Sequence, residues 1–154
     1  VVYIHIAKEA SGPMIEAPEV RAVPRRGLEG DRYFAEEGTF SQAKGPHREI
    51  TLIEAEALEA FEQESGVKLE AGASRRNITT RGVSLNDLVG REFRVGAVTL
   101  RGIRLCEPCS HLARLTHEKV LRGLVHRGGL RAEILTEGVI RTGDSIVSYP
   151  DVPG

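Results

Sequence analysis

The sequence contains no tryptophan, a single methionine and only two cysteines, and aromatic residues make up 5% of its 154 positions. A core drawn from this material has to be aliphatic, and two cysteines are too few for the disulfide framework of a small secreted domain. No apolar run approaches the roughly 20 residues that a membrane-spanning helix needs. Neither sign of charge dominates: 21 Lys+Arg stand against 22 Asp+Glu, a formal net charge of -1. There is thus no global basic field to draw in nucleic acid. Lysine itself is scarce, confined to Lys8, Lys44, Lys68 and Lys119. The Val-Val start reads as a trimmed chain, and nothing there resembles a signal peptide. These absences predict a cytoplasmic protein with neither a membrane nor a nucleic acid as partner.

What remains is ordinary globular material. Hydrophobic residues are 40% and charged residues 28%, and 17 glycines with seven prolines supply many tight turns. The length suits one domain, residues 1–154. Arginine supplies most of the positive charge, and its planar fork binds phosphate or carboxylate through two hydrogen bonds at once. The excess as a whole reads as composition bias, so function is sought only where arginines cluster.

Hydrophobic periodicity gives an outline. Val1 to Ile6, Val20 to Val23 and Ile50-Thr51-Leu52-Ile53 read as strands. A helix is predicted from about Glu54 to Glu64, with Ala57, Leu58 and Phe61 at helical spacing, Gly66 as its stop and its glutamates on a solvated face. Ala35 to His47 lacks periodicity and reads as an irregular loop. Asn77 to Thr80 is short and β-prone, and Leu85 to Gly90 looks like one helical turn. Glu92–Val95 and Val98–Arg101 alternate around Gly96-Ala97, a hairpin with Phe93, Val95, Val98 and Leu100 on its core face. Ile103 to Leu105 is extended, Ser110 to Val125 reads as short helical turns, and Leu130 to Leu135 and Ser145 to Val147 close the chain as strands. Gly138 and Gly143-Asp144 read as turns. Short strands, many turn glycines and one main helix point to a mainly β (α+β) fold, all-β or a β-dominated barrel.

Three segments could carry chemistry. Cys106-Glu107-Pro108-Cys109 follows a strand and leads toward helical turns, where backbone amides favour a thiolate. It admits three readings: a redox pair, which would need a βαβ setting; a zinc site with Cys106, Cys109, His111 and His117, whose spacing matches no common finger; or cysteines that simply fill apolar space. Arg75-Arg76-Asn77 offers two guanidinium forks and an amide, suited to a phosphate and a heterocycle edge, or else is a solvated pair. His126-Arg127-Gly128-Gly129 lets backbone approach a partner closely, but it carries no phosphate-loop fingerprint.

Taken in order, Gly27-Leu-Glu-Gly-Asp-Arg32, Thr51-Leu-Ile-Glu54, Arg75-Arg-Asn-Ile78, Gly90-x-x-Phe93-x-x-Gly96, Cys106-x-Pro-Cys109, Gly129-Leu-Arg-Ala132 and Gly143-Asp144 resemble the MOSC family, the domains found at the C-terminus of molybdenum cofactor sulfurases and as stand-alone proteins. The resemblance spans nearly the whole chain. It implies a β-barrel of mostly antiparallel strands with a few peripheral helices. It also implies a functional cysteine at Cys109, which either carries sulfur as a persulfide or ligates the molybdenum of a pterin cofactor, with Cys106 secondary. By the same resemblance Arg75, Arg76, Asn77 and Arg32 would bind the molybdenum cofactor, with Arg76 on its phosphate, Asn77 on its heterocycle and Asp31 bracing the turn. An association with pyridoxal phosphate also comes with the family.

Two functions follow from the resemblance. One is a molybdenum-dependent reductase of N-hydroxylated compounds, fed by an electron-transfer partner. The other is a persulfide carrier supplied by a cysteine desulfurase partner. A different class, a non-catalytic interaction domain with structural zinc at Cys106 and Cys109, stays open beside them.

Overall fold

The computed structural model describes residues 1–9, 12–32, 34, 49–69, 72–107, 116 and 119–148. Eleven strands are described: β1 (Tyr3–Ile6), β2 (Ile15–Glu16), β3 (Glu19–Val23), β4 (Gly27–Leu28), β5 (Ile50–Glu54), β6 (Ile78–Thr80), β7 (Glu92–Val95), β8 (Val98–Leu105), β9 (Leu130–Ile134), β10 (Gly138–Arg141) and β11 (Ile146–Ser148). The helices are α1 (Ala55–Ser65) and the single turn α2 (Val120–Gly123), with a 3-10 turn at Leu85–Leu88. Eight strands form one sheet in the order β11-β7-β8-β9-β5-β6-β1-β2, and a second sheet runs β10-β3-β4. The class expected from the sequence, β-rich with few helices, is the class observed.

The barrel is a correction. Among the described residues neither sheet closes on itself: β11 pairs only with β7, and β2 only with β1. The two sheets instead share one aliphatic core. Val20, Ala22, Leu28 and Ile140 from the small sheet pack with Ile4, Ile50, Leu52, Ile78, Leu100 and Leu130 from the large one. The predicted hairpin face is fully buried at Phe93, Val95, Val98 and Leu100.

The pairing is antiparallel throughout except where β5 meets β6 in parallel, Leu52 beside Ile78. That pair is joined through α1, so the chain does contain a βαβ crossover, although Cys106 follows β8 and not a strand of that unit. Gly66 ends α1 in the left-handed region (φ 75), its amide donating to the Glu62 carbonyl at 2.8 Å. The glutamates of α1 are more than a solvated face. Glu54 accepts the Leu85 amide at 3.1 Å, Glu56 the Gly82 amide at 2.8 Å, and Glu59 takes Arg81 through both oxygens.

Ile103–Leu105 is the far end of β8 rather than a separate strand, joined to it across a bulge between Gly102 and Arg104. Gly138, expected as a turn, opens β10. The two-residue strands β2 and β4 are too short for an alternation to reveal them. Two further expectations, the Ala35–His47 loop and most of the helical turns after Ser110, lie outside the described residues.

Two glycines are required by close approach. A Cβ at Gly129 (φ 115) would overlap the Leu52 carbonyl, and one at Gly102 would overlap that of Leu88, where Val89 bridges Gly102. Gly129→Ala is therefore expected to lower unfolding free energy in urea by more than ~2 kcal/mol, because it adds backbone strain to a backbone clash. Gly66→Ala, with open space around its Cβ, should cost only ~1 kcal/mol for its left-handed φ.

Candidate functional site

The Arg75-Arg76-Asn77 segment enters β6 and is the centre of a buried hydrogen-bond network. Asn77 is fully buried. Its Nδ2 donates to the His5 carbonyl at 3.1 Å, and its Oδ1 accepts from the Thr51 amide and hydroxyl, both at 3.1 Å. Both ends of the amide are thus spent on joining β1, β6 and β5. A buried amide gains most when each polar atom is matched in this way.

Arg76, 8% exposed, spreads its guanidinium over three carbonyls. Nε donates to Gly128 at 2.8 Å, the two terminal nitrogens to Ser74 at 3.3 Å and Cys106 at 3.0 Å. One side chain thereby ties the loop before β6 to the ends of two other strands. Arg75 holds a left-handed backbone (φ 62) and donates to the Gly12 carbonyl at 2.7 Å. Arg32 in turn donates to the Arg75 carbonyl at 3.2 Å and pairs with Asp31 at 3.2 Å. Asp31 itself accepts the Ala7 amide at 3.0 Å, which makes it the brace of its turn. The structure therefore brings Arg32, Arg75, Arg76 and the Cys106 backbone together.

Cys106 is a free thiol, 1% exposed, and its amide donates to Gly129 at 2.7 Å. Cys109, His111 and His117 lie outside the described residues. Among the described residues no group of three His, Cys, Asp or Glu side chains is placed to hold a metal ion.

Glu107, the next residue after Cys106, was not singled out from the sequence. It grips His126, accepting its amide through Oε1 at 2.8 Å and meeting Nδ1 through Oε2 at 3.0 Å. His126 is left-handed (φ 60), and its carbonyl is held by Asn86 at 2.8 Å. The imidazole is 78% exposed, so with Nδ1 engaged its Nε2 faces solvent two residues from Gly128, an Arg76 partner. The only sequence signal was the glycine pair beside a histidine.

Glu49 is the second residue missed. It is 7% exposed and stands at the head of β5, with Oε1 accepting the amides of Arg25 at 2.9 Å and Ile134 at 3.3 Å. Burial pushes its carboxyl up to about 7, the two amide hydrogen bonds opposing and the charge of Glu133 adding to the rise. An acidic residue beside a buried apolar strand was the available signal. Burial likewise holds His5, which neighbours Asn77, below its usual range, partly offset by Glu16.

A β-rich α+β domain with an arginine cluster bound to the end of a cysteine-bearing strand defines the class. The MOSC domain model matches residues 40–147, and the chain belongs to the MOSC family. Its fold is shared by the YuaD protein of Bacillus subtilis (TM-score 0.80, 17% identity, covering 96% of this chain and 94% of that one). It is also shared by YiiM of Geobacillus stearothermophilus (0.74, 20%, 97% and 74%) and YiiM of Escherichia coli (0.64, 16%, 100% and 72%). No curated protein sequence matches the chain.

Two outcomes follow from this geometry. Asn77→Ala should cost about 2–4 kcal/mol in chemical denaturation, since it orphans buried groups on both neighbouring strands. For Glu49 the folded pKa lies above the ordinary 4.5, so the folded chain binds the extra proton. Its contribution is fully present below about 4.5, is lost as pH rises to about 7, and is flat beyond. Relative to wild type, Glu49→Gln should therefore gain thermal stability from pH 5 to pH 8; a parallel pair of melting profiles would refute the assignment.

Proposed function

We propose that this MOSC domain binds a molybdenum cofactor of the pterin type and uses Cys109 in molybdenum cofactor or sulfur chemistry, acting in the cytoplasm. The observation that supports this most is the Arg76 bond to the Cys106 carbonyl. It ties the arginine cluster to the chain three residues ahead of Cys109. The donor set fits the group: guanidinium forks suit a pterin phosphate, and a soft thiolate suits molybdenum or sulfane sulfur.

Within this reading Arg76 and Asn77, spent on carbonyls and on Thr51, brace the site. Arg75 and Arg32 are the groups proposed to meet the phosphate, and Cys109 the ligand or carrier sulfur. When bound, the cofactor supplies two-electron reduction chemistry. Glu107 fixes the His126 ring at the edge of the cluster.

The reductase version acts on N-hydroxylated compounds and draws electrons from a separate protein. The carrier version receives sulfur from a cysteine desulfurase and holds it on Cys109. Protein made in a host that synthesises the cofactor should copurify with stoichiometric molybdenum and pterin in the first case. In the second it should lack molybdenum and carry a ~32 Da adduct on Cys109. Cys109→Ser should remove either signature with the fold intact, whereas Cys106→Ser should leave most of it. Protein with neither metal nor adduct would refute both.

A further inference from the structure

Away from the arginine cluster lies a polar cleft of 490 Å³, whose walls include Arg25, Glu49, Arg101, Glu133 and Ile134. It shares no residue with that cluster. Glu49 is its deepest charged group: Oε1 is taken by two amides, and among the described residues no hydrogen bond reaches Oε2. Arg25 keeps a left-handed backbone (φ 68) to present its amide there, a conformation that a non-glycine residue holds only when its surroundings enforce it. On the facing strands Arg101 is shared between Glu133 at 3.2 Å and Glu92 at 3.4 Å, so its charge is already divided. Only one Glu133 oxygen is used in this way.

We propose that this cleft is a binding site for a small organic cation of the amidine or guanidinium class, seated between the open oxygens of Glu49 and Glu133.

The charges facing Glu49 carry the choice. The lining carries two carboxylates (Glu49, Glu133) and two guanidiniums (Arg25, Arg101), and Glu92, outside the lining, takes part of the Arg101 charge. Ionisation of Glu49 makes this balance one unit more negative. A planar fork satisfies two carboxylate oxygens at once, and its flat faces suit the apolar wall of Pro24, Ile134 and Leu135. A bare metal ion is the poorer occupant, since two carboxylates supply few of the oxygen ligands that a hard cation takes. Because the Glu49 carboxyl titrates at about 7, the ligand competes with a proton. Its affinity should be about tenfold weaker at pH 6 than at pH 8.

The test is a two-dimensional NMR titration of the intact chain with methylguanidinium chloride. Urea serves as the neutral shape mimic and potassium chloride as the ionic-strength control. Saturable movement of the Arg25 and Ile134 amide resonances is expected, about tenfold weaker at pH 6. Glu49→Gln should abolish it while keeping both amide bonds, Glu133→Gln should weaken it at least threefold, and Glu64→Gln on α1 should leave it unchanged. Equal movement with urea or potassium chloride would overturn the proposal, as would no saturation or unchanged affinity in Glu133→Gln. Should Glu49→Gln not fold, the pH pair on the wild type and Glu133→Gln decide the matter.

Discussion

The guanidinium of Arg76 is the interaction on which the candidate site depends. It is nearly sealed from solvent and bonds the carbonyls of Ser74, Cys106 and Gly128, three segments far apart in sequence. Arginine suits this task because five N–H donors in a rigid plane can reach several acceptors without losing charge. Lysine, with a point charge on a flexible stem, would not span the same three carbonyls. Asn77 does the complementary work one residue on, binding β6 to its neighbours on both sides.

Carboxylates do elsewhere in the fold what Arg76 does at the candidate site. Asp31, Glu49, Glu54, Glu56 and Glu107 each accept at least one backbone amide from a distant segment. Turns bounded by glycine leave amides without ladder partners, and an acidic oxygen satisfies them with a charge-assisted bond. The balance of acidic and basic residues is thus partly an internal matter, spent on holding loops.

The elements with strong periodicity were legible. The hairpin of β7 and β8 showed its face by strict alternation, and α1 showed its length by helical spacing and a terminal glycine. Sheet order was not legible, because the parallel seat of β6 beside β5 depends on tertiary pairing that no local pattern encodes. Barrel closure was expected from the short strands and turn glycines as well as from family likeness, and it failed among the described strands. Within the site, Arg75 and Arg76 stood out by residue type and Arg32 by family likeness, and the structure places the three near one another. Glu49 and Glu107 did not, since a lone glutamate beside an apolar run looks like any surface acid until its burial is known.

The order of strands in the large sheet has a consequence for both the arginine cluster and the Glu49 cleft. On one side stand β1, β2, β5 and β6, all from the first 80 residues; on the other stand β7, β8, β9 and β11, all from residue 92 onward. Among the described residues these two halves of the sheet are joined only through the ladder of β5 with β9. Arg76 reaches across the seam to Cys106 and Gly128, and Glu49 reaches across it to Ile134. A shear along that ladder would displace the donors of the arginine cluster and the acceptor of the Glu49 cleft together, so neither can be reshaped in isolation.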